Sequence, residues 1–171
     1  MSISMYQASV PVLVRGLTNL KTFLGKAQAH AAEKQIEPSV FIGARLFPDM
    51  LPLNRQVYIA TDTAKGCAAR LAGVEAPKYD DVEVTFDELD ARIQKTIVYL
   101  NEFKPEQIDG SEERQVTLKM RTGAVEFTGI AYLLHFALPN FFFHTTTAYD
   151  ILRHNGVELG KLDFLGRGTS N

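Results

Sequence analysis

At 171 residues the chain has the length of one ordinary domain, and its 46% hydrophobic and 22% charged residues exclude a wholly disordered polypeptide. Eighteen Lys and Arg against twenty Asp and Glu leave a net charge of −2, so no basic excess marks a surface for nucleic acid or an anionic membrane. One cysteine excludes an internal disulfide, so the fold rests on its core and a reducing, cytoplasmic setting is expected. The N-terminus, Met1-Ser2-Ile3-Ser4-Met5-Tyr6, lacks the cationic and apolar regions of a signal peptide. The most apolar stretch, Ile130 to Phe143, is broken by His135, Pro139 and Asn140. It falls short of the roughly 20 apolar residues that cross a bilayer.

In chain order, the first helical segment is marked by Tyr6, Val10, Leu13, Leu17, Leu20, Leu24, Ala27 and Ala31 at steps of three or four. Pro11 within that stripe predicts a kink or a late start. Pro38 to Phe47 suits a short helical turn. A second helix is expected to open after Pro48-Asp49, with Leu53, Gln56, Val57, Ala60, Ala64, Cys67 and Leu71 on one face, and to stop at Gly73 and Pro77. The third begins at a capping box, Thr85 with Glu88, and buries Phe86, Leu89, Ile93, Ile97 and Leu100 before Pro105 closes it.

The period then changes from near 3.6 to 2. Val116, Leu118 and Met120 alternate with polar residues, as do Val125 and Phe127, and Thr122-Gly123 joins the two runs into a β-hairpin. A fourth helix is expected from Leu138 to His154, with Pro139 in its first turn and Asn155-Gly156 as its stop. The tail from Gly160 to Asn171 reads as an extended strap. Together these predict one all-α domain over residues 1–171, a four-helix bundle with a small hairpin between its third and fourth helices.

Several catalytic signatures are missing from the sequence. Gly-x-Gly occurs only as Gly166-Arg167-Gly168, and there is no nucleophile elbow, zinc-protease pair or Cys-x-x-Cys. Cys67 falls on an apolar helix face and reads as a buried thiol. Interest centres on the fourth helix, where Asn140, His144, Thr147 and Ile151 share one side. His144 is the histidine best placed for chemistry, facing Gln56 on the second helix; the alternative is a core histidine satisfied by Asn140 or a backbone carbonyl. His135 is expected to pack, His154 to serve the helix C-terminus and His30 to lie at the surface. Phe141, Phe142 and Phe143 spread apolar surface around the same helix, which predicts a homodimer.

Gly43-Ala44-Arg45-Leu46, Pro48-Asp49-Met50, Leu53, Gln56-Val57, Ala68-Ala69-Arg70-Leu71-Ala72-Gly73, Leu138 to His144, Ala148-Tyr149 and Ile151 to Gly156 carry a resemblance. With these residues the chain resembles the DinB/YfiT-like four-helix-bundle superfamily of metal-dependent proteins, within a bacterial branch known as a domain of unknown function. That resemblance implies a divalent nickel or zinc ion held by three histidines, one from the second helix and a His-x-x-x-His pair from the fourth. The second of the pair falls on His144, the first on Asn140, and the remaining one near Gln56. Asp49, placed two turns before Gln56, would supply the negative charge that this imidazole and two carboxamides lack.

Such a donor set suits a transition ion poorly, so no firmly held cofactor is expected, only weak nickel or zinc binding at His144. The expected function is binding of a small polar ligand in a bundle pocket at Asp49, Gln56, Asn140 and His144. The alternatives are a metal-dependent transferase or isomerase acting with a low-molecular-weight thiol, as the resemblance implies, and a non-catalytic structural dimer.

Overall fold

The computed structural model describes residues 2–120 and 123–166. Helix α1 spans Met5–Lys34 and opens at a capping box: the Ser4 hydroxyl accepts the Gln7 amide while the Gln7 side chain accepts that of Ser4. This box lies upstream of Pro11, so the expected late start is overturned and the helix passes through Pro11 on its exposed side. A short helix α2, Pro38–Ile42, leads through an irregular segment to α3, Leu53–Ala72. The start of α3 corrects the expectation of a helix opening after Asp49. Pro52 occupies the N-cap, and the Leu53 amide is taken by the Ala44 carbonyl at 3.0 Å. Gly73, at φ 72°, ends α3 in the left-handed conformation that glycine adopts most readily.

Helix α4, Phe86–Asn101, has the expected Thr85–Glu88 box, and Glu88 also accepts the Val84 amide at 2.8 Å. The Val84 and Thr85 donors hold the Glu88 carboxyl below its usual range. After α5, Pro105–Ile108, strands β1, Gln115–Met120, and β2, Gly123–Thr128, pair antiparallel from Gln115 opposite Thr128 to Met120 opposite Gly123. The joining residues, Thr122 among them, lie outside the described residues. Val116 and Leu118 face the core, which is what anchors a hairpin too small to stand alone.

The fourth long helix keeps its expected α-helical bounds, Leu138 to His154, but is extended upstream. Helical backbone begins at α6, Gly129–Ala131, continues through a π-helical stretch, Tyr132–Ala137, and passes into α7, Leu138–His154. Pro139 therefore lies inside a continuous helix. It cannot donate to the His135 carbonyl, and the widened π turns lie immediately upstream of it. Past α7, a helical turn α8, Lys161–Leu165, replaces the expected extended strap as far as Gly166; residues 167–171 lie outside the described set. It is tied to α1 by Arg15 donating to the Leu165 carbonyl at 2.7 Å, by Asn19 donating to that of Phe164 at 2.8 Å and by a Lys26–Asp163 pair at 2.8 Å.

Around the bundle the packing order is α1, α4, α3, α7 and back to α1. The chain is thus helical with a small hairpin, as its patterning predicted. Leu13, Leu17 and Leu20 of α1, Val57 and Ala64 of α3, Leu89 and Ile93 of α4, and Phe141 and Ala148 of α7 fill the centre.

One charged side chain penetrates between α3 and α4. The Arg92 side chain is 1% exposed, and its Nη2 lies 3.0 Å from Asp62 and 2.9 Å from Asp81. Its Nη1 reaches both Glu83 oxygens at 3.2 Å, and Nε donates to the Thr61 hydroxyl at 2.7 Å. The rings of Tyr58 and Tyr79 sit 4.6 and 4.9 Å from the guanidinium. This cluster pins the long α3–α4 connection to both helices, and Asp81 holds its place with a left-handed φ of 55°.

Candidate functional site

Gln56 and Thr63 lie two turns apart on α3, while Asn140 and His144 lie one turn apart on α7, so each pair shares a helix face. Two contacts cross between them. His144 Nδ1 is 2.7 Å from Gln56 Oε1, and Asn140 Nδ2 donates to Thr63 Oγ1 at 2.7 Å. Chain direction reverses between the two rungs, so α3 and α7 run antiparallel.

Gln56 is 2% exposed and His144 9%. The Gln56 amide nitrogen donates to the Leu51 carbonyl at 2.8 Å, which turns its oxygen toward the ring. The imidazole therefore donates from Nδ1 and keeps its lone pair on Nε2, a tautomer assigned from this hydrogen-bond pattern. Burial holds the His144 pKa below its usual value. The Phe143 ring meets the imidazole edge-on, with centroids 5.1 Å apart.

Of the four residues singled out in the sequence, Gln56 and His144 come together, Asn140 turns away to Thr63, and Asp49 joins neither. Asp49 lies exposed in the turn before α3, because α3 begins at Leu53 and the face on which Asp49 was placed does not extend back to it. His135 is exposed, not packed, since the π turns bury Tyr132, Leu133 and Ala137 instead. His30 is half-buried with its ring edge on Phe41 at 5.8 Å, rather than at the surface. His154 is exposed in the last turn of α7, where a cation complements the helix dipole.

Among the described residues there is no group of three His, Cys, Asp or Glu side chains placed to hold a metal. The donors at the resemblance-implied position are one imidazole and two carboxamides. One carboxamide is committed at both ends and the other turned to Thr63. This set does not fit a tightly held nickel or zinc ion.

A different concavity lies one step along the same helices. A cleft of about 230 Å³ is lined by Thr63 and Arg70 of α3, Lys119 of β1, Tyr132 and Phe136 of the π turns and Asn140 of α7. Arg70 Nη1 donates to the Tyr132 hydroxyl at 3.0 Å. Its guanidinium lies back over α3 at Gly66, where a Cβ would collide with Nη1. Burial, reinforced by the nearby Cys67 thiol, pushes the Tyr132 phenol up to about 12, so it keeps its proton. Burial likewise pushes Cys67 up to about 12 and leaves it a neutral thiol in the core. Arg70 and Tyr132 were not singled out as site residues from the sequence: Arg70 reads as one charge on an amphipathic helix, and Tyr132 as part of an apolar run.

The family model described as Domain of unknown function (DUF1993) matches residues 5–165. The chain belongs to this family. The DUF1993 chain is also similar to a crystal structure of a DinB family member protein from Shewanella denitrificans. The TM-score is 0.91 and the identity 40%, over 97% of this chain and 94% of that one. These matches place the DUF1993 chain in the DinB-like superfamily. No curated protein matches it. Among the described residues, no helix is long and apolar enough to cross a membrane.

Proposed function

We propose that this DUF1993 domain binds a small polar molecule in the cleft between α3, β1 and α7, and does so without a metal at the position the superfamily resemblance marks. The observation that supports this reading is the convergence onto one cleft of Thr63 and Arg70 from α3 with Tyr132 and Asn140 from the continuous helix formed by the π turns and α7. Rigid helices hold these groups, and sites between bundle helices commonly take ligands. At about 230 Å³ the cleft falls below the roughly 300–1,000 Å³ of sites for drug-sized molecules, so its occupant is small. Gln56 and His144 serve as a buried link between α3 and α7.

The test is a backbone-amide NMR screen with small polar metabolites and thiols. Saturable shifts centred on Thr63, Arg70 and Asn140, weakened by Asn140→Ala, support the reading; shifts centred elsewhere overturn it. Elemental analysis bears on the metal-dependent thiol enzyme. A stoichiometric metal that is lost in His144→Ala would replace ligand binding with that reading.

The homodimer is proposed alongside. Its support is the exposure of Phe142 at 38% and Phe143 at 57% on α7. Light scattering that gives a monomer at micromolar concentration would overturn it.

A further inference from the structure

Resting on the proposed ligand cleft, we infer that its occupant is a small carboxylate, its anionic end held by Arg70 and Tyr132. The cleft has two chemically different ends. At one end Arg70 spends a single N–H on the Tyr132 hydroxyl and has no carboxylate partner among the described residues. Lys119, on the adjacent strand, has none either. The acid that also borders the cleft, Asp62, is taken by Lys65 at 2.8 Å and Arg92 at 3.0 Å, so it does not neutralise this end.

Tyr132 keeps its proton and accepts from Arg70, which leaves its O–H to be donated. A carboxylate offers two acceptor oxygens, and charge-assisted bonds from a guanidinium and a phenol match them. Gly66 keeps this geometry open, because the absent Cβ is what allows the guanidinium to lie on the helix. At the other end Asn140 donates its amide hydrogen to Thr63, leaving the Asn140 Oδ1 to accept and the Thr63 hydroxyl to donate. A short hydroxy acid or amino acid complements both ends. Phe136, stacked on Tyr132 at 6.0 Å, adds an apolar ring to the lining.

The experiment is an amide NMR titration of the full chain with glycolate, with its neutral isostere glycolamide and with inorganic phosphate at low salt. Glycolate is expected to shift Thr63, Arg70 and Asn140 saturably and to bind at least about tenfold tighter than glycolamide, the size of one charge-assisted contact. Arg70→Gln should bring glycolate down to the glycolamide level. Tyr132→Phe, which keeps the ring, should weaken glycolate several-fold and serves if Arg70→Gln unfolds. Equal binding of glycolate and glycolamide in the cleft overturns the carboxylate anchor while leaving the cleft as a ligand site. Phosphate binding there without glycolate also overturns it. If neither organic probe binds, the inference fails, and the metabolite screen decides separately whether the cleft binds anything.

Discussion

Gln56 and His144 form a closed link between α3 and α7: the carboxamide oxygen takes the imidazole Nδ1–H at 2.7 Å while the carboxamide nitrogen is held by the Leu51 carbonyl at 2.8 Å. Both side chains are buried, and this link stands where the DinB-like resemblance places a metal. A polar pair in that environment contributes mainly through what its loss would leave unsatisfied.

Replacing Gln56 with Leu therefore strands the Leu51 carbonyl and the His144 Nδ1–H in the interior. The expected cost is about 1–3 kcal/mol, measured as a lowered urea midpoint with an unchanged m-value. The ring nitrogen NMR shifts of His144 should at the same time lose the signature of a pure Nδ1–H tautomer. A Gln56→Leu protein as stable as the parent, with that signature intact, would show that the link does not exist in solution.

The lowered His144 pKa carries a pH signature. Its cause is desolvation, which favours the neutral ring in the folded state. Below the unfolded value of about 6.5 the unfolded chain binds the extra proton first. Stability is therefore full above that value, falls with decreasing pH between 6.5 and the depressed folded pKa, and levels off below it. In His144→Leu this particular slope should vanish. An identical pH profile in parent and variant would assign the slope to other groups.

Arg92 is expected to be among the most sensitive positions in the chain. Arg92→Met removes the guanidinium from among Asp62, Asp81 and Glu83, and loss of one partner from a buried ionic cluster typically costs about 3–5 kcal/mol. Thermal unfolding should record the loss, and amide exchange should accelerate across the α3–α4 connection. A shift no larger than that of an exposed Arg→Met control would mean the cluster is solvated.

Gly66→Ala separates stability from binding. The added methyl meets only the Arg70 side chain, whose end can move aside, and alanine is favoured over glycine in a helix by up to about 1 kcal/mol. The variant should melt at or above the parent temperature yet lose most of its affinity for glycolate. Unchanged affinity would show that Arg70 reaches the ligand without lying on Gly66.

The local features of this fold were legible in the residue pattern. Apolar steps of three or four marked the long helices, and Thr85 with Glu88 marked a start. The change of period at Val116 marked the hairpin. These features depend on residues within a few positions of one another, which is why a linear reading reaches them. The link between Gln56 and His144 was also approachable, because each sits on the inward face of its own helix.

Tertiary structure alone decided the rest. Asn140 shares a face with His144, yet the crossing of α3 and α7 brings Thr63 opposite it, and that register is absent from either helix taken singly. Arg92 looks in sequence like one more surface charge, and only the folding back of residues 81 and 83 supplies the carboxylates that make its burial affordable. Arg70 and Tyr132 are separated by the whole of α4 and the hairpin, and they meet only because the π turns carry the phenol to α3. Spacing along the chain determined which elements form; the register in which those elements pack determined which polar groups meet, because a hydrogen bond is made only when donor and acceptor arrive within about 3 Å of each other.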